Sequence, residues 1–257
     1  HTGVMITASH NPKEYNGYKA YWNDGAQMIP PHDKNVIDEV KRIKVGDVKF
    51  DCVKSKIKTI GEEIDKAYLD QLEGLSVSPG SARRQSDIKL VYTPLHGTGV
   101  KMVPAILDRF GFENVFKVYE QDVVDGDFPT VVSPNPEEPA ALELALNKAR
   151  KVDADLVMAT DPDADRVGIA VKDPKENFVL LNGNQTAAVI IYYLLTLWHK
   201  KGKLTGKEYI VKTIVTTELL VDIAKKYKVE YHDVLTGFKW IADVIRKNEE
   251  KKTFIAG

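Results

Sequence analysis

Apolar and polar residues follow two alternating periods along this chain. Short apolar runs typical of buried strands occur at 3–6, 88–92, 114–119, 155–159, 167–171, 178–181, 209–215 and 253–257. Apolar residues three and four positions apart predict helices at 32–43, 64–75, 103–110, 139–151, 183–200, 218–227 and 238–247. Residues 46–61 predict a connector with an edge strand, and residues 76–87, rich in Ser, Gly and charge, predict a linker.

This alternation of strands and helices predicts an α/β protein, in which helices cover largely parallel sheets. Ligands of such proteins bind beyond the carboxyl ends of the strands. Ser9, Asp161 and Thr236 are expected at such ends. They are therefore the first positions at which to look for chemistry.

Composition narrows the class of protein. A chain of 257 residues is long for one domain and comfortable for two. The net charge of −1 gives no electrostatic signal for nucleic acid or an anionic membrane, and neither partner is expected. The apolar stretch 187–198 is too short to span a bilayer. Cys52 is the single cysteine, so no disulfide can form within the chain; this favours a cytoplasmic setting and a packing role for Cys52.

The segment Thr7–Pro12, Thr-Ala-Ser-His-Asn-Pro, places a serine on a tight turn after an apolar run. Pro12 disfavours helical geometry at the residue before it, so the chain bends here. A hydroxyl beside a histidine on a bent loop can act as a nucleophile or carry a phosphoryl group. Serines in turns more often bond the backbone. Ser9 and His10 therefore become catalytic candidates only together with a second motif.

That second motif, Asp161–Arg166, follows the apolar run 156–159. Carboxylates at alternate positions, Asp161, Asp163 and Asp165, can converge on one point, and oxygen ligands suit a hard cation such as Mg²⁺. Without a cation, two like charges about 4 Å apart repel by roughly 4 kcal/mol at an effective dielectric constant of about 20. A solvated acidic turn is the simpler alternative, but the pattern favours metal binding. Arg166 adds a planar group suited to phosphate.

Together the two motifs resemble the α-D-phosphohexomutase superfamily of phosphoglucomutases and phosphomannomutases. Thr7–Pro12 is similar to its phosphoserine loop and Asp161–Arg166 to its magnesium loop. Further similar segments, in the family's order, are Glu14–Lys19, Tyr92–Gly99 and Thr236–Trp240. Pro162 replaces the usual glycine, as in a branch that contains phosphoglucomutases and phosphopentomutases, and Tyr21–Gln27 also resembles that branch.

The resemblance implies repeated three-layer α/β domains with mixed, largely parallel sheets. Residues 1–60 would be the end of a first domain carrying the phosphoserine loop. Residues 61–182 would be a second domain with the metal-binding loop, and residues 183–257 a third domain that stops before the sugar-specificity loop. Because family members have four domains, we expect the chain to be a fragment that is inactive alone.

The resemblance also implies a reaction: sugar 1-phosphate and sugar 6-phosphate, above all those of glucose, interconvert through a phosphoserine and a bisphosphorylated sugar. The implied partners are a phosphorylated sugar and a sugar bisphosphate activator, and the implied cofactor is Mg²⁺. The expected metal ligands are Ser9, Asp161, Asp163 and Asp165. The expected catalytic residues are Ser9, His10, Lys19 and Arg166, with Lys19 assisting proton transfer at the sugar hydroxyl. The expected substrate-binding residues are Thr236, Gly237 and Lys239.

Several alternatives stay open. A metal-dependent phosphatase would pass the phosphate to water, and a non-catalytic module would bind only phosphate and metal. The sugar could also be mannose or a pentose. An EF-hand is excluded, because a loop starting at Asp161 would need glycine and glutamate where Arg166 and Lys172 stand. His96 is expected to stabilise its own loop.

Overall fold

The computed structural model describes residues 2–257, which divide into two compact units. The first unit comprises the described residues up to Ile6, together with Tyr18–Lys66 and Leu204–Gly257. The second comprises Thr7–Gly17 and Ala67–Lys203. None of the helices described combines the length and the apolarity that a membrane crossing requires.

The regular elements alternate as expected. The helices are α1 His32–Arg42, α2 Glu62–Gly74, α3 Pro79–Arg84, α4 Gly99–Arg109, α5 Glu143–Val152, α6 Gly183–Lys200, α7 Leu219–Tyr227 and α8 Phe238–Asn248. The strands are β1 Gly3–Ile6, β2 Tyr18–Tyr21, β3 Lys89–Thr93, β4 Asn114–Lys117, β5 Leu156–Thr160, β6 Val167–Lys172, β7 Phe178–Leu181, β8 Glu208–Thr213, β9 Glu230–Val234 and β10 Thr253–Ala256.

The second unit is built on a five-stranded sheet in the order β4-β3-β5-β6-β7. The first three of these strands are parallel, and β6 and β7 run antiparallel to their neighbours. Because side chains alternate along a strand, Leu90 and Tyr92 pack in one cluster with Leu107 of α4, whereas Val91 packs in another with Ala145 and Ala149 of α5. Helices therefore cover both faces, and the predicted three-layer α/β fold is confirmed.

The first unit contains a smaller parallel sheet in the order β10-β8-β9. Helix α8 packs against β8 and β9, and α7 packs against β9. The core of this sheet joins Tyr209 and Val211 of β8 to Ile241 of α8. Strands β1 and β2 form a separate antiparallel pair in the same unit.

The structure corrects several predictions. The run 3–6 is a strand but not a buried one: Val4 is 52% and Ile6 60% exposed, because β1 and β2 form a two-stranded sheet within the described residues. Residues 46–61 contain no strand, only the end of one short 3₁₀ turn and the whole of another. The expected linker 76–87 contains α3. Cys52 is exposed, so its expected packing role is wrong.

Candidate active site

The serine loop, residues 7–17, is closed at its base by the backbone. The amide of Thr7 donates to the carbonyl of Gly17 at 3.2 Å. A Cβ at position 17 would lie 2.2 Å from the carbonyl oxygen of Thr7. Only glycine therefore fits here. Within the loop, the Ser9 amide donates to Thr7 Oγ1 at 2.9 Å, and Ser9 has a φ of 55°. A left-handed serine costs about 1–3 kcal/mol, so its surroundings fix its position.

The acidic loop, residues 161–166, joins β5 to β6, which pair through Thr160 and Val167. The carbonyl of Asp161 accepts from the amide of Ala164 at 3.0 Å. The Oδ1 atom of Asp161 accepts from the amide of Arg166, also at 3.0 Å. Asp161 is fully buried, and its side chain therefore braces the turn from inside.

The three aspartates of this loop converge. Asp161, Asp163 and Asp165 each offer one carboxylate oxygen, and these atoms all lie within 4.8 Å of one another. Burial, and then a hydrogen bond with Asp163, raise the pKa of Asp161 to about 7. Three carboxylates this close, one of them buried, are costly when ionised, and a divalent cation with oxygen ligands would offset that cost. The residues therefore fit a metal site.

The serine loop and the acidic loop meet, although 152 residues separate their key side chains. The Ser9 hydroxyl donates to Asp161 Oδ2 at 2.9 Å. The Nδ1 atom of His10 lies 3.2 Å from the same Ser9 Oγ. Burial first, and then the positive charge of Arg166, lower the pKa of His10 below its ordinary value, so its ring is neutral at pH 7. One hydroxyl is thus within hydrogen-bonding distance of both a carboxylate and a neutral imidazole.

Comparisons with known proteins agree with this arrangement. Three models of the phosphoglucomutase/phosphomannomutase family match the chain: α/β/α domain I at residues 1–46, domain II at 66–175 and domain III at 182–257. The chain belongs to this family. It thereby belongs to the α-D-phosphohexomutase superfamily, and the resemblance of its motifs is confirmed.

The chain spans about half the length of the curated relatives it matches. It is 36% identical over 263 residues to a phosphoglucomutase of Staphylococcus saprophyticus, covering 99% of this chain and 46% of that protein. A phosphomannomutase of Mycoplasmoides pirum is 34% identical over 255 residues, with shares of 99% and 46%. A solved phosphoglucomutase/phosphomannomutase family protein of Burkholderia thailandensis has the same fold, with a TM-score of 0.67, 18% identity and shares of 96% and 47%.

In this member of the family, sequence reasoning missed the residues that hold the serine loop. Ser133 donates its hydroxyl to the carbonyl of His10 at 3.2 Å, and Lys13 pairs with Asp127 at 3.2 Å. Neither Ser133 nor Asp127 lies in a recognisable motif. The pattern of polar and apolar residues does not show which distant segment contacts the serine loop. No signal in the sequence could therefore have identified Ser133 and Asp127 as its partners.

The remaining predicted residues of this family member lie elsewhere. Lys19 lies on β2, and Thr236, Gly237 and Lys239 lie at the end of β9 and the start of α8, all in the first unit. Lys239 Nζ pairs with Asp33 Oδ2 at 3.0 Å. The second unit therefore brings together Ser9, His10, Arg166 and the three aspartates, and the roles of all these residues stay predictions.

Proposed function

We propose that this chain carries the phosphoryl-transfer centre of a sugar-phosphate mutase, with Ser9 as the residue that becomes phosphorylated. The supporting observation is the single hydrogen bond from the Ser9 hydroxyl to Asp161 Oδ2, at 2.9 Å. That hydrogen bond holds the candidate nucleophile, the Ser9 hydroxyl, beside the three aspartates that could bind a cation. The family's relatives are named phosphoglucomutases and phosphomannomutases, which are isomerases.

The proposed cofactor is Mg²⁺, held by Ser9 and the carboxylates of Asp161, Asp163 and Asp165. Such an ion would supply positive charge to the transferring phosphoryl oxygens. The protein's own share is positional. The backbone amide of Arg166 fixes Asp161, and Asp161 fixes the Ser9 hydroxyl. Positioning and electrostatic stabilisation supply most of the catalysis in phosphoryl transfer.

In the first half of the proposed reaction, the bond between phosphorus and Ser9 Oγ breaks while a bond forms to a sugar hydroxyl. Ser9 Oγ regains a proton, and the sugar hydroxyl loses one. In the second half, Ser9 Oγ attacks the other phosphate of the bisphosphorylated sugar, and the bond between that phosphorus and its sugar oxygen breaks. Ser9 Oγ loses its proton, and the sugar oxygen gains one. His10 takes the Ser9 proton once the hydroxyl turns from Asp161 Oδ2 toward His10 Nδ1, which lies 3.2 Å from Ser9 Oγ on a ring that its lowered pKa keeps neutral.

The proposed substrate is a hexose phosphate, glucose 1-phosphate and 6-phosphate in the first place, with a sugar bisphosphate as activator. Among proteins of this fold, an N-acetylphosphoglucosamine mutase of Aspergillus fumigatus was solved in complex with GlcNAc-6P and magnesium. In the longer protein we assign proton transfer at the sugar hydroxyl to Lys19. We assign phosphate and sugar contacts to Thr236, Gly237 and Lys239, and charge neutralisation to Arg166. The single cysteine favours a cytoplasmic setting.

Phosphate incorporation tests the proposal. The chain, supplied with Mg²⁺ and glucose 1,6-bisphosphate, should gain the mass of one phosphate on the peptide that contains Ser9. Ser9→Ala should abolish the gain. Ser81→Ala is the matched control, because the Ser81 hydroxyl pairs with Ser78 and Arg84 in the same unit, and it should leave the gain unchanged. Phosphate on Ser9→Ala would contradict the assignment.

Release of inorganic phosphate separates the mutase from the phosphatase alternative. In a mutase the phosphate on Ser9 passes to glucose 6-phosphate or glucose 1-phosphate, and little is released. Steady release of inorganic phosphate as the main product would favour the phosphatase. A chain that binds Mg²⁺ but never acquires phosphate, even within the longer protein, would favour the non-catalytic module.

A further inference from the structure

The two residues that flank Asp161 are both held by one other segment of the chain. Thr160 and Pro162 lie on either side of this buried aspartate. Each of them contacts residues of Tyr92–Gly99, the segment that leads from β3 into α4. We call Tyr92–Gly99 the bracing segment. It lies in the same unit as the acidic loop and carries none of the candidate metal ligands.

On the Pro162 side, the bracing segment supplies two donors to a single acceptor. The amide of Thr98 donates to the carbonyl oxygen of Pro162 at 2.8 Å, and the Thr98 hydroxyl donates to the same oxygen at 3.0 Å. Thr98 directly precedes α4, so the amide is at the positive end of the helix. The carbonyl between two candidate metal ligands is therefore fixed in direction.

Close backbone packing accompanies these bonds. A Cβ at Gly97 would lie 2.4 Å from Cα of Pro162, a distance that no side chain can reach without displacing the backbone. The Thr98 donors reach Pro162 only because residue 97 has no side chain. The glycine and the threonine thus act together.

On the Thr160 side, the contact is a buried hydrogen bond. Tyr92 Oη and Thr160 Oγ1 are 2.8 Å apart. A Cβ at Gly99 would lie 2.3 Å from that tyrosine oxygen and 2.6 Å from Thr160 Oγ1. The first residue of α4 therefore closes over the bond, and the backbone just before Asp161 has little freedom to shift.

The bracing segment is itself anchored by side-chain hydrogen bonds to Gln121 and Thr130. The Thr93 hydroxyl donates to Gln121 Oε1 at 2.7 Å, and the side-chain Nε2 of Gln121 donates to Thr130 Oγ1 at 3.0 Å. The buried ring of His96 reaches the same Thr130 oxygen through Nε2 at 2.8 Å. A segment tied to the interior in this way can hold a loop, whereas a mobile one could not.

We propose that Thr98 is a positioning residue for the metal loop: its hydroxyl and amide, on a glycine-backed turn, orient the Pro162 carbonyl and so hold Asp161 and Asp163 in a converging arrangement. The inference rests on the proposed metal site. It adds that metal affinity depends on a residue that touches neither the metal nor the substrate. Thr98 acts through the backbone of the loop.

Thr98→Val tests the proposal, because valine keeps the shape and the backbone donor but removes the hydroxyl. We expect Mg²⁺ to bind about three- to tenfold more weakly, the range that loss of one net hydrogen bond gives. Thr98→Ser should restore binding. Thr205→Val is the matched control, since it removes a hydroxyl that donates to Glu208 in the other unit, and it should leave Mg²⁺ affinity unchanged.

A second measurement does not depend on the metal. The amides of Ala164 and Arg166 donate to Asp161, so their hydrogen exchange in the metal-free chain reports how well the loop is held. Thr98→Val should speed their exchange by a similar factor, and Thr98→Ser should not. If the unaltered chain binds no Mg²⁺, the proposed function fails, and exchange at these two amides still decides the role of Thr98. Unchanged exchange overturns it, as does a loss of stability without weaker Mg²⁺ binding.

Discussion

The acidic loop, residues 161–166, and the loop at residues 235–239 illustrate two ways to present polar groups at a strand end. The first begins with a fully buried aspartate whose neighbours on both sides are held by another segment. In the second, Leu235 and Phe238 are 55% and 59% exposed, and Lys239 is held by an ion pair with Asp33 and lies over the ring of Trp240. Packing therefore preforms the acidic loop, while the second loop depends on its backbone and on the contacts of one lysine.

The largest effect is expected from Asp161→Asn. Removal of one charged ligand should weaken Mg²⁺ binding by about 100-fold or more, because ligand charge largely sets the affinity of such sites. The same change should stabilise the metal-free chain, since a buried carboxylate beside two others is costly. Calorimetry with and without Mg²⁺ measures both effects.

The pH dependence sharpens this prediction. The pKa of Asp161 is raised to about 7 in the folded chain, whereas it is about 4 in an unfolded one. The metal-free chain should therefore lose stability as pH rises from about 4 to 7, because the unfolded state then binds fewer protons. Asp161→Asn should remove this loss. Asp165→Asn is the control: its side chain is exposed, so it should weaken Mg²⁺ binding with little change in metal-free stability.

Gly97→Ala should cost about 3 kcal/mol of unfolding free energy, because the new methyl group meets the backbone of Pro162 and not a movable side chain. Urea unfolding measures this cost. Gly126→Ala is the matched control in the same unit: nothing lies within 4 Å of the position that its Cβ would take, and the stability should change by about 0.5 kcal/mol or less. Equal effects at the two glycines would contradict the contrast in packing.

Gly237→Ala should cost less, about 1–2 kcal/mol, and for a different reason. Its φ of 123° is a conformation that alanine adopts only with strain, but the nearest atom to an added Cβ is 3.9 Å away. Gly46→Ala, at another open glycine without positive φ, should be neutral. Thermal unfolding separates the two variants, and a neutral Gly237→Ala would show that this loop is not held in its present conformation.

The smallest effect is expected for the ion pair of Lys239 and Asp33. Both side chains are about a quarter exposed, so solvent screens the attraction only in part. A double-mutant cycle of Lys239→Met and Asp33→Asn should give a coupling energy of about 0.5–1 kcal/mol. A coupling energy near zero would mean that the pair does not hold this loop.

The sequence predicted those elements whose pattern is set locally. Strand β7 and helix α6 were predicted with the bounds observed. Helix α6 starts at a local signal, the capping box of Asn182 and Gln185, which does not depend on distant packing. Strand β9 was missed, because its sequence Glu-Tyr-His-Asp-Val is mostly polar and lacks the apolar run by which the other strands were predicted. The exposure of β1 was also missed, because burial depends on which strands lie beside it.

The candidate site also contains parts that the sequence identified and parts that it did not. The motifs around Ser9 and Asp161 identified the residues that meet, because their chemistry is unusual for a turn. The contact of Thr98 with Pro162 joins positions 64 residues apart and uses a common residue type and a backbone carbonyl. No side-chain pattern encodes such a contact, so only the folded chain reveals it.

The pairing of Thr160 with Val167 has a consequence for how this protein can change. Six residues close the gap between β5 and β6, and one more or one fewer would move every later residue of β6 to the opposite side of its sheet. The slip would bring Val167 or Ile169 to the place of Gly168, where a Cβ would lie 2.0 Å from the carbonyl oxygen of Pro136. Substitutions in this connection therefore keep the register of β6, whereas an insertion or deletion of one residue would shift it.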